Sequence, residues 1–178
     1  MLNLFTKKSN GAKTAGFTLI ELLVVIAIIG TLASIVLASL NNARRKSRDA
    51  RRITDIKQVQ LALELYFDGA GIGQYPLASA TCDASTSYGL EQLVTGGYIP
   101  QIPRDPSSVT TCYRYSSPAS GQRTTYHLGG TIEDSTNQAL NGDKDCNDQS
   151  GAPATVCPTG TGATSGFSGV DPVYDVVP

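Results

Sequence analysis

From Phe17 to Leu40 the sequence runs as one apolar segment whose only charged residue is Glu21. As a helix it would reach about 36 Å, enough to span a hydrocarbon core of roughly 30 Å. A secretory signal core is shorter, about 7 to 15 residues, so the segment is expected to stay as an anchor rather than be removed at Val36-Leu37-Ala38-Ser39. A carboxylate inside such a span costs about 2.5 to 3.5 kcal/mol, so Glu21 calls for a partner.

The remainder of the 178-residue chain is small and electrically divided. Residues 1–67 carry ten Lys and Arg against four acids, and residues 68–178 carry four against eleven, so +6 stands beside −7 although the net charge is only −1. The basic excess suits an anionic surface, and the acidic part suits open solvent. All four cysteines, Cys82, Cys112, Cys146 and Cys157, lie in the acidic part, and none forms a Cys-x-x-Cys pair. With a membrane-targeting segment upstream they read as disulfides formed outside the cytoplasm; three pairings exist, and Cys82 with Cys112 and Cys146 with Cys157 is the one favoured.

The residues Lys13-Thr14-Ala15-Gly16-Phe17-Thr18-Leu19-Ile20-Glu21, continuing through Leu22 to Gly30, strongly resemble the start of the type IV pilin family, which includes the pseudopilins of type II secretion. The resemblance implies that a prepilin peptidase cuts between Gly16 and Phe17 and that Phe17 becomes an N-methylated first residue. It also implies an α+β pilin fold: a long N-terminal helix, apolar in its first half, packed against a small antiparallel sheet. Cleavage would place an ammonium about 6 Å of helix from Glu21, and each charge could then neutralise the other inside an apolar bundle. In the family that pairing between neighbouring subunits guides assembly. Arg44, Arg45, Lys46, Arg48, Arg51 and Arg52 come just after the span, and the positive-inside rule read mechanically would put the C-terminal domain in the cytoplasm. The cleavage motif and the cysteines favour the opposite orientation: one pass through the inner membrane with the C-terminal domain outside.

The expected organisation is a leader at 1–16, a membrane and filament-core helix at 17–40, the amphipathic half of the same helix at 41–68, an α+β head at 69–149 and a Gly/Thr/Ser-rich tail at 150–178. Between Asn41 and Phe67 there is no proline or glycine, and Ile53, Ile56, Val59, Leu63, Tyr66 and Phe67 recur at helical spacing, with Leu61 and Leu65 widening the stripe. The run Gly69-Ala70-Gly71-Ile72-Gly73 ends the helix. The basic residues are read as a solvated collar near lipid head groups, or as partners of Asp49, Asp55 and Glu64 on neighbouring subunits. DNA binding is disfavoured because no aromatics interleave with them.

Ser87 to Val94 reads as a short helix with Leu90, Leu93 and Val94 inward, and Thr111 to Ser116 and Arg123 to Glu133 read as strands. The segment Tyr98 to Pro106 partly resembles the loop before the first strand of major pseudopilins. Asp143, Asp145, Asn147 and Asp148, with Glu133 and Asp134 nearby, form an oxygen-rich loop of the kind calcium prefers. It departs from an EF-hand, but major pseudopilins bind calcium in a loop of this region, so Ca2+ is the candidate cofactor and a solvated turn the alternative. Residues 150–170 read as a flexible segment, and 170–177 as a last strand or a loose end.

No enzymatic constellation emerges. His127, the only histidine, alternates away from the apolar face of its strand and is expected to be exposed, and Gly69-Ala70-Gly71 follows a helix where a phosphate loop would follow a strand. The functional expectation is a pilus subunit; the alternatives are a secretion pseudopilin and a membrane-tethered binding protein. Implied partners are copies of itself and other pilins, prepilin peptidase, an assembly platform with its ATPase, and membrane lipid before assembly.

Overall fold

The computed structural model describes residues 16–79, 81–82, 88–108, 110–118, 121–147, 155–157, 167–168 and 172–178. The leader at 1–15 and Asp148 lie outside them. The chain divides into two compact units, Met1–Asn41 and Asn42–Pro178.

Helix α1 covers Leu19–Asp68. Its first turn is held by a reciprocal cap: Glu21 N–H donates to Thr18 Oγ1 at 3.3 Å, and Thr18 N–H donates back to Glu21 Oε2 at 2.8 Å. This is a Thr-x-x-Glu capping box, which satisfies two backbone donors that would otherwise face an apolar surrounding. Within the first unit the large apolar side chains, Leu22 and Val25 to Leu37 among them, are exposed on all sides. By length and composition the helix is able to cross a membrane.

In the second unit α1 presents one buried stripe, Arg52, Asp55, Ile56, Val59, Ala62 and Leu63, spaced by three and four residues. Leu61 and Leu65, expected to widen it, are exposed at 63% and 49%. The stripe runs through Ala62 instead, which joins the same buried cluster as Tyr75, Tyr113, Tyr115 and Tyr126. Beyond Asp68 the amides of Gly71 and Gly73 return to the carbonyls of Tyr66 and Phe67, at 2.7 and 2.9 Å, and a Cβ at Gly71 would collide with the Gln74 carbonyl. The glycine run therefore stops the helix as the sequence predicts.

The sheet has three antiparallel strands in the order β1 (Arg114–Ser116), β2 (His127–Thr131), β5 (Val173–Val176). Tyr115 faces Leu128 across the first pair, and Gly130 faces Tyr174 across the second. A second, parallel pair joins β3 (Cys146–Asn147) to β4 (Thr155–Val156). Leu128, Ile132, Tyr113, Tyr115 and Tyr126 close over Ile56, Val59 and Leu63 to form the core. Helix and sheet come close at Gly130, where a Cβ would lie 2.8 Å from the Tyr113 ring and 3.2 Å from Ile56 Cδ1.

The buried tyrosines bring hydroxyls with them, and α1 supplies acceptors. Tyr113 donates to Asp55 at 2.8 Å, Tyr75 to Glu64 at 2.9 Å and Tyr126 to Glu64 at 3.2 Å. Burial, and then the neighbouring carboxylate, raises the pKa of Tyr113 and Tyr75, so these hydroxyls remain protonated donors. Each satisfied hydroxyl removes the penalty of burying a polar group.

The short helix α2 is Glu91–Thr95 and begins later than the sequence suggests, because Tyr88 and Gly89 adopt φ of 54° and 92°. Leu90 and Leu93 are buried, whereas Val94 points outward. The end of the chain forms the last strand that was one of its two expected states, with Tyr174 buried and β5 completing the sheet. Of the segment at 150–170 the described Cys157 and Phe167 are buried, while 150–154, 158–166 and 169–170 lie outside the described residues. The bonded pairs are Cys82 with Cys112 and Cys146 with Cys157. Cross-links over 30 and 11 residues restrict the unfolded chain, each by an amount on the order of 2–4 kcal/mol.

Candidate functional site

The residues singled out at the start of the long helix lie together. Gly16, Phe17 and Thr18 precede the first helical turn, and Phe17 is exposed. A Cβ at Gly16 would meet nothing within 4 Å, so packing within the chain does not require glycine there. Glu21 Oε2 also accepts from Thr18 Oγ1 at 2.7 Å. The carboxylate thus has a structural role in the cap, which sequence reasoning missed although the Thr-x-x-Glu spacing carries it.

The basic run after the span sorts into two classes. Arg44, Arg45 and Lys46 are exposed. Arg52, by contrast, is only 3% exposed and is the centre of a charge cluster inside the second unit. Its Nε and Nη2 grip Asp105 at 2.7 and 2.9 Å, and its Nη1 meets Asp49 at 2.6 Å and Glu133 at 2.8 Å. Asp49, fully buried, also accepts the amides of Glu133 and Asp134 at 2.9 and 3.0 Å. Arg48 forms a second fork on Glu133 from a more exposed position. Asp49, Asp55 and Glu64, which one of the two readings of the basic run paired with neighbouring subunits, are engaged within their own chain, to Arg52, Tyr113 and the hydroxyls of Tyr75 and Tyr126. Arg52 does not fit the other reading, a solvated collar. Arginine's planar fork is what lets one cation hold three carboxylates from separate parts of the chain.

His127 departs most from expectation. It is fully buried; its Nε2 lies 2.7 Å from Asp175 Oδ2, and its ring stacks on Phe167 with centroids 3.9 Å apart. The residue does alternate away from the core face, but it is not exposed, because β2 is covered on both faces: by α1 with the core tyrosines on one, and by Phe167, Cys157 and Asp175 on the other.

The acidic loop is only partly gathered. Asp143 Oδ2 accepts the Asp175 amide at 3.3 Å, and Asp145 is exposed with φ 47°. Asn147 lies in β3, its side chain and Asp148 being outside the described residues. Glu133 belongs to the arginine cluster, and Asp134 accepts the Thr136 amide at 3.0 Å. Among the described residues, the three-ligand group compact enough for a metal is His127, Cys146 and Cys157.

The family description "Prokaryotic N-terminal methylation motif" matches residues 11–37. Type II secretion system core protein G of Vibrio cholerae serotype O1 is 36% identical over 118 residues, which cover 60% of this chain and 73% of that protein. The protein of the same name from Klebsiella pneumoniae is 33% identical over 129 residues, covering 64% and 83%, and that of Escherichia coli K12 is 35% identical over 108, covering 53% and 67%. This chain belongs to the pilin and pseudopilin family. The aligned lengths exceed the motif several-fold, so the likeness extends beyond the apolar segment. As a member of that family the protein is a structural subunit and not an enzyme.

The arginine cluster gives the second unit a defined acid sensitivity. Burial pushes Asp105 upward, but hydrogen bonds from Arg52 and Ser107 outweigh it and hold the carboxyl at about 2; the Arg48 hydrogen bond, reinforced by Arg52, holds Glu133 at about 2 as well. Unfolded, both would titrate near about 4. Below that value the unfolded chain binds more protons than the folded one, so stability is fully present above about pH 4.5 and falls as pH drops toward 2. Thermal unfolding detected by tyrosine circular dichroism is expected to show a steadily falling Tm across that window. A Tm unchanged down to pH 2 would contradict the cluster.

Proposed function

We propose that this chain is a pseudopilin, a subunit of the pilus-like filament of a type II secretion system. The observation that carries this reading over a surface pilus is the extended likeness to relatives named for type II secretion, which reaches past the methylation motif into the head. The precursor sits in the cytoplasmic membrane through α1, with its disulfide-bonded domain on the periplasmic side. Prepilin peptidase cuts after Gly16 and methylates Phe17. An assembly platform and its ATPase then draw the subunit from lipid into a filament with copies of itself and other pseudopilins.

Two physical features support this sequence of events. The first half of α1 is apolar all round, which requires lipid in a monomer and can be buried against identical helices in a polymer. The glycine at position 16 answers to no contact in the folded chain, which suits a requirement set by an outside enzyme that must approach the backbone closely. The new Phe17 ammonium and Glu21 are the proposed assembly pair.

Deletion of the gene in the native host tests the reading. Proteins normally released to the medium are expected to accumulate in the periplasm, and the intact gene is expected to restore their release. Normal release together with the loss of surface pili would move the assignment to a type IV pilus.

A further inference from the structure

The buried group around His127 is not used in the anchoring, processing and assembly steps proposed above. Cys146 and Cys157 are 4% and 2% exposed, and His127 and Asp175 are fully buried. His127 Nδ1 lies 3.3 Å from Cys157 Sγ, and the ligand atoms of His127, Cys146 and Cys157 all fall within 4.8 Å of one another. Asp175 accepts from Nε2 at 2.7 Å, and its other oxygen is fixed by the amides of Lys144 and Asp145, both at 3.1 Å. A carboxylate accepting at Nε2 directs the imidazole proton there and leaves the Nδ1 lone pair facing the sulfurs. Phe167 stacks on the ring within 10° of parallel, and Gly129 makes room for both: a Cβ there would lie 3.0 Å from Phe167 and 3.1 Å from Asp175 Cβ. An imidazole oriented through its far nitrogen by an anchored carboxylate, beside two sulfurs in a dry setting, is the arrangement that metal-binding histidines use.

We propose that the Cys146–Cys157 pair is a two-state cross-link: a disulfide when oxidised, and, when reduced by a dithiol, a binding site for a thiophilic cation such as Zn2+ formed by both sulfurs and His127 Nδ1. Reduction passes two electrons from the dithiol to the disulfide and yields two thiols, while the dithiol becomes a disulfide. Binding of Zn2+ then releases the two thiol protons, and Asp175 keeps its hydrogen bond to Nε2 as the positioning residue. Soft sulfur donors with one imidazole select zinc over calcium or magnesium. The metal would join β2, β3 and the strand end at Cys157, where the disulfide joins only the last two. This site draws Cys146 from within the acidic loop but uses none of its carboxylates as ligands, and it does not depend on which machine the filament serves.

The test uses the full chain in detergent micelles, reduced with a phosphine and exposed to Zn2+ without oxygen. The deciding variant is Cys82→Ser/Cys112→Ser, which leaves the proposed site untouched and removes the other pair of sulfurs. X-ray absorption at the zinc edge is expected to show two sulfurs at about 2.3 Å and a nitrogen at about 2.0–2.1 Å, with one zinc per chain, in this variant as in the parent. The oxidised chain is expected to show no sulfur ligation. Asp175→Asn should keep the sulfur shell and weaken binding by about 10- to 100-fold. A shell of oxygen and nitrogen alone in the reduced Cys82→Ser/Cys112→Ser chain would overturn the proposal.

Discussion

Glu21→Ala is expected to leave membrane insertion intact and to abolish incorporation into filaments. Removing a carboxylate from an apolar span favours lipid, so the variant should fractionate with membranes like the parent. Assembly should fail because the Phe17 ammonium would enter the apolar bundle unpaired, at a cost of several kcal/mol per subunit. Alanine, however, also removes the acceptor that Thr18 uses from both its amide and its hydroxyl. Loss of that cap alone costs about 0.5–2 kcal/mol. Glu21→Gln separates the two effects, since glutamine can close the same capping box without the charge. If charge pairing is the role, Gln fails as Ala does, and cross-linking of cells finds both variants as monomers in the membrane. Filament formation by Glu21→Gln at the parental level would leave only the cap.

Arg52→Ala is expected to destabilise the head by about 3–5 kcal/mol, a large fraction of the roughly 5–15 kcal/mol that holds a domain folded. The substitution deprives Asp105 of its two-pronged partner and leaves Asp49, fully buried, with two backbone amides and no cation. Arg52→Lys should recover little of this, because a single ammonium cannot reproduce the fork on Asp105 while reaching Asp49 and Glu133. Arg48 supplies the contrast. Its side chain is 36% exposed, so Arg48→Ala should cost at most about 1 kcal/mol. Denaturant unfolding of the three variants measures the order, and an Arg52→Ala midpoint equal to that of Arg48→Ala would contradict the cluster's role.

Periodicity and punctuation account for the parts of the fold that were legible in the sequence. The apolar segment, the stripe through Ile56, Val59 and Leu63, the stop at the glycine run and the alternation about Tyr113 and Tyr115 each rest on local signals, and the structure carries each of them. The departures share a different cause: they depend on residues far apart in the chain. Arg52 looked solvated because its partners Asp105 and Glu133 are 53 or more positions away. His127 looked exposed because the cover of its face comes from far along the chain: from Phe167, in a stretch whose glycines and threonines suggested looseness, and from Asp175 in β5. Leu61 and Leu65 fit the helical stripe by hydropathy, yet the sheet covers a narrower face, and no pattern within the helix reports that width. The Thr18 cap was local and readable; the prominence of Glu21 as a lone acid drew attention to its charge and away from its spacing.

Intact-mass analysis of the protein recovered from cells with an active prepilin peptidase decides whether Glu21 has an ammonium to meet. The expected species begins at Phe17 and carries one methyl group on its amino nitrogen. A chain still beginning at Met1 would contradict both the assembly pair and the filament role built on it.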